Sequence, residues 1–179
     1  MAVLIEAISV VVRTDALLRA FGDWRLFKAQ VPNDTLCADG ELARVGFMTP
    51  EDVEAYVKLL TGAGLVFAEN GHAKDIVVVD QQRGPTSPCT WIEFGHVSLD
   101  RDPAKKVAAC RFKGSTSMQI VRPEGWQYEG SLSASFGFVP SGAENKSLEF
   151  LGRENGLDVY LNKLTGKKVY IGRTSENSE

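Results

Sequence analysis

Apolar residues follow two different spacings in the first eighty positions, and these spacings predict both strands and helices. Residues 3–12 are almost continuously apolar and rich in Val and Ile, which predicts a strand with both faces buried. In residues 50–61, by contrast, apolar residues recur at the i, i+3, i+4 and i+7 spacing of one buried helix face: Val53, Tyr56, Val57 and Leu60. Thr49 as N-cap and Pro50 at the first helical position predict where this helix begins.

Shorter elements lie between and after these two. A helix that opens at Thr14 and Asp15 should turn Leu17, Leu18 and Phe21 inward. Residues 23–31 fit either a helix capped by Asp23 or a strand. The pair Asp39-Gly40 predicts a hairpin within residues 35–48, with positive φ at both turn residues. Three further strands are predicted in the segments LVFAE, DIVVVD and TWIEFGHV.

The predicted order is strand, helix, strand, strand, helix, strand, followed by two extra strands. This order resembles the ferredoxin-like split β-α-β repeat, and the resemblance implies an α+β fold. Because helices can cover only one face of the sheet, antiparallel strands from the C-terminal half should cover the other. We therefore expect a ferredoxin-like half in residues 1–98 and an antiparallel β half packed on it in residues 99–173. A disordered polar tail should follow in residues 174–179.

The C-terminal half has no predicted helix. The segment DRDPAKK, from residue 100 to 106, is typical of a linker. Strands are predicted in KVAACRF, SMQIVR, SLSASFGFV, SLEFLGR, LDVYLN and KVYIGR. Aromatic residues interspersed with small polar ones in residues 125–138 fit a strand pair with aromatics in its core, or a groove.

Composition and charge narrow the classes of function. The chain of 179 residues has a net charge of −3, which provides no basic excess for nucleic acid. Its apolar start lacks a preceding positive charge and is too short to span a bilayer, so a cytoplasmic protein is expected. The three cysteines, at 37, 89 and 110, form no disulfide framework or zinc pattern. No cofactor or metal is predicted.

Cys37 is a candidate nucleophile, but its surroundings favour a structural role. A reactive thiol needs a base and a lowered pKa. Asp39 and Glu41 are close in sequence, and negative charges raise the pKa of a thiol instead. A buried cysteine is the favoured reading, and a thiol enzyme is the alternative.

The segment from residue 83 to 96 is a second candidate, because it contains residue types that perform chemistry. Strand alternation predicts Cys89, Trp91 and Glu93 on one face and Ile92, Phe94 and His96 on the other, which argues against a Cys89–His96 dyad. The preceding loop should expose Thr86 and Ser87 beside Arg83, and it is the best predicted surface for a function.

Glu6 is the third candidate, because a carboxylate inside an apolar strand is costly unless it is paired. In the expected topology the adjacent strand carries Arg44, so a buried Glu6–Arg44 ion pair is the favoured interpretation. A ligand-binding or catalytic Glu6 is the alternative.

Two classes of function remain open at this point. The first is a non-catalytic binding or protein-interaction module. The second is a small-molecule-binding protein or enzyme with a pocket between the two sheets, which would use Glu6, Arg44 and Cys89 or Glu93. The partner is a protein or a small molecule, and a homo-oligomer is compatible with both classes.

Overall fold

The computed structural model describes residues 1–117, 119–135, 148–154, 157–162 and 168–172. Within these ranges the fold is α+β, with several sheets whose strands are mostly antiparallel. The predicted tail at 174–179 lies outside the described residues.

A sheet with helices on one face, here called sheet I, forms the centre of the structure. Its strand order is β3-β4-β2-β7-β8, and each neighbouring pair is antiparallel. The strands are β2 (Ile8–Arg13), β3 (Cys37–Ala38), β4 (Leu42–Phe47), β7 (Ile76–Asp80) and β8 (Gly84–Pro85). Alternate residues of β2 and β7 lie in different apolar clusters, so both faces of these strands are buried as predicted.

Three helices cover one face of sheet I: α1 (Thr14–Phe21), α2 (Trp24–Ala29) and α3 (Pro50–Gly62). The Asp23 side chain caps α2 by accepting the N–H of Arg25 at 2.6 Å, which settles the ambiguous segment as a helix. Thr49 caps α3 by accepting the N–H of Asp52. The buried face of α3 is formed by Val53, Tyr56 and Leu60, as its spacing predicted.

A second sheet, here called sheet II, covers the other face of sheet I. Its strand order is β11-β1-β10-β9. The strands are β1 (Ala2–Ile5), β9 (Ile92–Leu99), β10 (Asp102–Phe112) and β11 (Ile120–Val121). An apolar cluster fills the space between the sheets: Val3, Ile5, Val11, Cys37, Leu42, Ala73, Val77, Val79, Trp91, Ile92, Ala108 and Cys110.

The remaining described elements are small or stand apart from these two sheets in strand pairing. They are the hairpin of β5 (Ala68–Glu69) and β6 (His72–Ala73), the short helix α4 (Leu132–Ser135), and a sheet of β12 (Leu148–Glu154), β13 (Leu157–Asn162) and β14 (Lys168–Gly172). Strand pairing in sheet II crosses residue 99, because β1 and β9 both pair with β10. The division into two packed halves at residues 1–98 and 99–173 stays a prediction.

The structure corrects the prediction of one strand over residues 3–12. The chain forms β1 in sheet II, bends at Glu6 and Ala7, and continues as β2 in sheet I. Ala7 has a φ of 51°, which interrupts the extended backbone. An unbroken apolar run is compatible with two buried strands as well as with one, so the bend left no signal in hydrophobicity.

Two turns also differ from their predictions. The first hairpin turns at Gly40 and Glu41, because the Asp39 carboxylate accepts the N–H groups of Glu41 and Leu42, each at 2.7 Å. The segment predicted as a linker, residues 100–106, is instead a tight turn between β9 and β10 followed by the first residues of β10. Asp100 and Arg101 occupy the turn with φ values of 51° and 63°.

One prediction about a side chain and one about a secondary-structure element were also wrong. Leu18 is 43% exposed, because α1 buries only the stripe that contains Ala16 and Leu17. The segment predicted as a strand from residue 131 contains the helix α4 instead, which begins beside the side chain of Glu6. The hydrogen bond from Ser133 to that side chain is a tertiary contact that strand propensity does not report.

Candidate functional site

The bend between β1 and β2, formed by Glu6 and Ala7 and called the strand switch below, is held by main-chain and side-chain hydrogen bonds. Gln81, which follows β7, donates its N–H to the Ala7 carbonyl at 2.9 Å. Its side-chain oxygen accepts the Ala7 N–H at 2.7 Å. The backbone groups of Ala7 are therefore satisfied although they belong to no strand ladder.

Arg44 holds the strand switch from the side of sheet I. Its side chain is 2% exposed, and burial lowers the pKa of its guanidinium. The guanidinium donates to the Ser9 hydroxyl at 2.8 Å and to the main-chain carbonyls of Glu6 and Thr35 at 3.0 and 3.1 Å. Backbone and hydroxyl oxygens, which are neutral acceptors, thus satisfy this buried cation.

The predicted ion pair between the side chains of Glu6 and Arg44 is wrong. Arg44 lies opposite Val11 in the ladder and reaches the Glu6 carbonyl oxygen, whereas the Glu6 side chain leaves the bend in another direction. Its carboxylate accepts the indole N–H of Trp126 at 2.7 Å. It also accepts the N–H and the hydroxyl of Ser133 at 2.7 and 2.8 Å.

Glu6 is one of the residues that line a surface depression. The depression has a volume of about 460 Å³, and its lining residues are Glu6, Gly125, Trp126, Gln127, Glu129, Gly130, Ser131 and Leu132. Although Glu6 is only 8% exposed, the three donors to its carboxylate are all neutral. The structure therefore places a buried negative charge beside a cavity, with no described cation in contact with it.

Aromatic packing fixes the wall that carries Trp126. Trp126 and Tyr128 pack against the outer face of sheet II, with their ring centroids 6.5 Å apart. On the rim, Glu129 forms an ion pair with Lys105 at 3.2 Å. Hydrogen bonds from its own main-chain N–H and from Lys105 lower the pKa of Glu129.

The structure places the other predicted site residues outside this depression. Trp91 is buried between the sheets and donates its indole N–H to the Ala73 carbonyl at 3.1 Å. Glu93 is exposed and forms an ion pair with Arg111 at 2.8 Å across β9 and β10. The predicted common face of Trp91 and Glu93 is wrong, because β9 begins at Ile92 and alternation does not extend into the preceding loop.

The three cysteines are free thiols that pack in or against the cluster between the sheets. Cys37 and Cys110 are buried, whereas Cys89 is half-buried. Burial raises the pKa of all three thiols, and the nearby Arg44 only partly opposes this effect at Cys37. These surroundings favour the structural reading of Cys37, since the thiolate is the reactive form.

The loop before β9 presents less polar surface than predicted. The Thr86 hydroxyl and N–H both donate to the Val78 carbonyl, at 3.1 and 2.9 Å. Ser87 is half-buried, and Arg83 is exposed. The short strand β8, Gly84–Pro85, pairs with β7. Thr86 continues this pairing through its hydrogen bonds to Val78.

Trp126 and Ser133 are the site residues that the sequence interpretation missed. Both lie in the segment of aromatic and small polar residues that was interpreted as a strand pair. The signal that could have found them is the lone acid in the N-terminal apolar run, because a buried carboxylate requires donors from elsewhere in the chain.

Three further observations concern similarity to known proteins, metal binding and membrane-spanning helices. No protein-family model, curated protein or solved structure matches the chain. Among the described residues, no group of three or more His, Cys, Asp and Glu side chains is arranged to hold a metal ion. The helices in the described part of the chain are all too short or too polar to cross a membrane.

Proposed function

We propose that this chain is a non-catalytic binding module and that its ligand docks in the depression beside Glu6. The observation that carries the proposal is the Glu6 carboxylate itself, which is 8% exposed, adjoins the depression and has only neutral donors. Burial of an ionised carboxylate is costly unless charge or hydrogen bonds compensate it. A ligand with a complementary charge would add to the compensation that the three hydrogen bonds already provide.

The lining of the depression suits binding. Its volume of about 460 Å³ is in the range of small-molecule sites. Trp126 and Leu132 provide apolar surface, and Gln127 and Ser131 provide polar groups. Because Trp126 and Ser133 already engage the Glu6 carboxylate, a fixed role in recognition is favoured over proton transfer.

A small-molecule ligand and a side chain of a protein partner both remain compatible with this site. The space between the two sheets, where the sequence interpretation located a pocket, is occupied by the cluster around Val3, Val77 and Cys110. We therefore propose that either kind of ligand, a small molecule or a side chain of a protein partner, binds in the depression. A cytoplasmic location and the two-half domain organisation remain predictions from the sequence.

The proposal also includes a ferredoxin-like unit in sheet I. Taken in chain order, β2, α1 with α2, β3, β4, α3 and β7 follow the split β-α-β succession. Their spatial order β7-β2-β4-β3, with antiparallel neighbours throughout, supports this assignment. The fold hosts many activities, so it carries no functional weight by itself.

The proposed function is tested by filling the depression. A thermal-shift screen with cationic, neutral and anionic metabolites is run on the wild type, on Leu132→Trp and on Leu26→Trp. Leu132 lines the depression, whereas Leu26 is an exposed leucine of α2 and is the matched control. Compounds that stabilise the wild type and Leu26→Trp but not Leu132→Trp are expected. A screen in which no compound stabilises the wild type, or in which all three proteins respond equally, would contradict the proposal.

A further inference from the structure

We propose that the depression beside Glu6 recognises a primary ammonium group, either on a free alkylamine or at the end of a lysine side chain. This inference rests on the proposed function and adds the chemical class of the ligand. It depends on how the hydrogen-bonding capacity of one buried carboxylate is already used.

The donors to Glu6 leave its carboxylate with few unused hydrogen-bond acceptor positions. An ionised carboxylate offers about four lone-pair positions. The Ser133 N–H and hydroxyl both donate to Oε2, whereas Trp126 alone donates to Oε1. Among the described donors, one acceptor position on Oε1 therefore remains for a ligand.

The single remaining acceptor position favours an ammonium group over a guanidinium group. A guanidinium binds a carboxylate best through two parallel N–H groups, one to each oxygen. The occupied Oε2 opposes that arrangement at Glu6. An ammonium group is a compact charge that can donate one N–H to Oε1 and direct its other N–H groups elsewhere.

The rim offers acceptors for those other N–H groups. Gln127, Glu129 and Ser131 line the same depression and carry side-chain oxygens. Three described cations of this region bind other groups. Lys105 pairs with Glu129, Arg122 lies over the Trp126 ring with its guanidinium carbon 5.8 Å from the centroid, and Arg44 bonds the Glu6 carbonyl.

The apolar lining suits the alkyl chain of such a ligand. Trp126 and Leu132 line the same depression as Glu6. An alkylammonium can contact them with its methylene groups while its charged end reaches Glu6, as lysine side chains do elsewhere. An alkyl compound that lacks the ammonium group should bind weakly, because it makes only the apolar contacts.

The inference is tested by calorimetric titration of the folded full chain with four probes. They are n-butylammonium, n-butylguanidinium, 1-butanol and N-acetyl-lysine amide, and the lysine derivative distinguishes a side chain from a free amine. We expect n-butylammonium or the lysine derivative to bind about tenfold or more tightly than butanol and more tightly than n-butylguanidinium. Tightest binding by butanol or butylguanidinium would overturn the inference.

Variants that lack one carboxylate provide a second test of the inference. Glu6→Gln should weaken binding of the ammonium probe about tenfold or more, and Glu93→Gln, an exposed glutamate outside the depression, should leave it unchanged. If Glu6→Gln does not fold, the rim variant Glu129→Gln replaces it. This variant should weaken the ammonium probe severalfold without affecting butanol. Equal affinities in the variant used and in Glu93→Gln would overturn the inference.

Failure of this inference is distinguishable from failure of the proposed function. Neutral or anionic compounds that stabilise the wild type but not Leu132→Trp would preserve the docking site and exclude its preference for ammonium. An absence of any stabilising compound would remove both.

Discussion

The guanidinium of Arg44 donates to the main-chain carbonyl of Glu6 at 3.0 Å and does not contact the carboxylate of the same residue. Glu6 therefore has two separate structural roles. Its carbonyl anchors the strand switch to sheet I, and its carboxylate anchors the segment that contains Trp126 and Ser133. The arrangement explains how two buried opposite charges lie close in the fold without forming an ion pair.

This separation predicts nearly additive effects in a double-mutant cycle. Glu6→Gln presents an amide to donors from Trp126 and Ser133, and it should destabilise the protein by about 1–3 kcal/mol. Arg44→Met removes donors to other acceptors, so the two free-energy changes should add within about 1 kcal/mol. Urea unfolding of both single variants and the double variant measures the coupling. A coupling of about 3–5 kcal/mol would indicate the direct ion pair instead.

Gly46 provides the space that the Arg44 side chain occupies. A Cβ atom at Gly46 would lie 2.9 Å from the guanidinium carbon of Arg44, whose position is fixed by three hydrogen bonds. Gly46→Ala should therefore destabilise the protein by about 1–3 kcal/mol.

The matched control for this substitution is Gly62→Ala at the end of α3. A Cβ atom there has no atom within 4 Å, and alanine favours the helix, so stability should be unchanged or slightly higher. Urea melts of both variants make the comparison. A Gly46→Ala protein as stable as Gly62→Ala would mean that Arg44 can move without cost.

The hydroxyl of Tyr56 has no hydrogen-bond partner among the described residues, although the side chain is only 3% exposed. Tyr56→Phe removes this buried polar group and keeps the ring packed against Phe47. We expect stability to be unchanged or to rise by about 1 kcal/mol. Phe47→Ala, which removes the partner ring, should instead cost about 3–5 kcal/mol. A clear loss of stability in Tyr56→Phe would indicate a hydrogen bond to the hydroxyl.

Tyr56 should also make stability fall at alkaline pH. Burial raises its pKa above the value of about 10 that tyrosine has in an unfolded chain. Above that pH the unfolded state releases the proton while the folded state keeps it, so stability decreases by about 1.4 kcal/mol for each pH unit. Urea unfolding at a series of pH values above 10 should show a shallower decline for Tyr56→Phe. Parallel declines in the two proteins would contradict this assignment.

Two adjacent leucines of α3 test the predicted orientation of that helix. Leu60 is fully buried and Leu59 is 38% exposed. Leu60→Ala should cost about 2–5 kcal/mol, and Leu59→Ala should cost much less, because only the first creates a cavity in the core. Thr49→Ala, which removes the N-cap, should cost about 1 kcal/mol. Equal losses for both leucine variants in urea melts would show that the helix is rotated from this position.

Local patterns predicted the elements whose determinants lie within a few residues. The cap at Thr49, the buried stripe of α3 and the strand β7 follow from spacing and capping chemistry that the chain shows directly. The bend at Glu6 could not be found in this way, because its hydrogen bonds come from Arg44, Gln81 and Trp126, which are distant in sequence. Hydrophobicity also does not record to which of two sheets a buried strand belongs.

The candidate site was predictable only in part, for the same reason. Glu6 was identified because a lone carboxylate in an apolar run requires compensation. Its partner was misassigned, since adjacency in a sheet brings Arg44 near the backbone of Glu6 but does not determine the direction of the side chain. Ser133 belongs to a segment whose composition fitted a strand, and only the tertiary contact shows its role as a donor.

The most direct test of a cation-binding site at Glu6 uses the indole N–H of Trp126 as a reporter of the Glu6 carboxylate. In a ¹H–¹⁵N spectrum of the folded chain, titration with n-butylammonium should shift the Trp126 indole resonance saturably, because the ligand shares its acceptor Oε1. The indole resonance of Trp91, which donates to the Ala73 carbonyl between the sheets, is the internal control and should not move. A Trp126 resonance that does not shift, or that shifts equally with Trp91, would contradict a cation-binding site at Glu6.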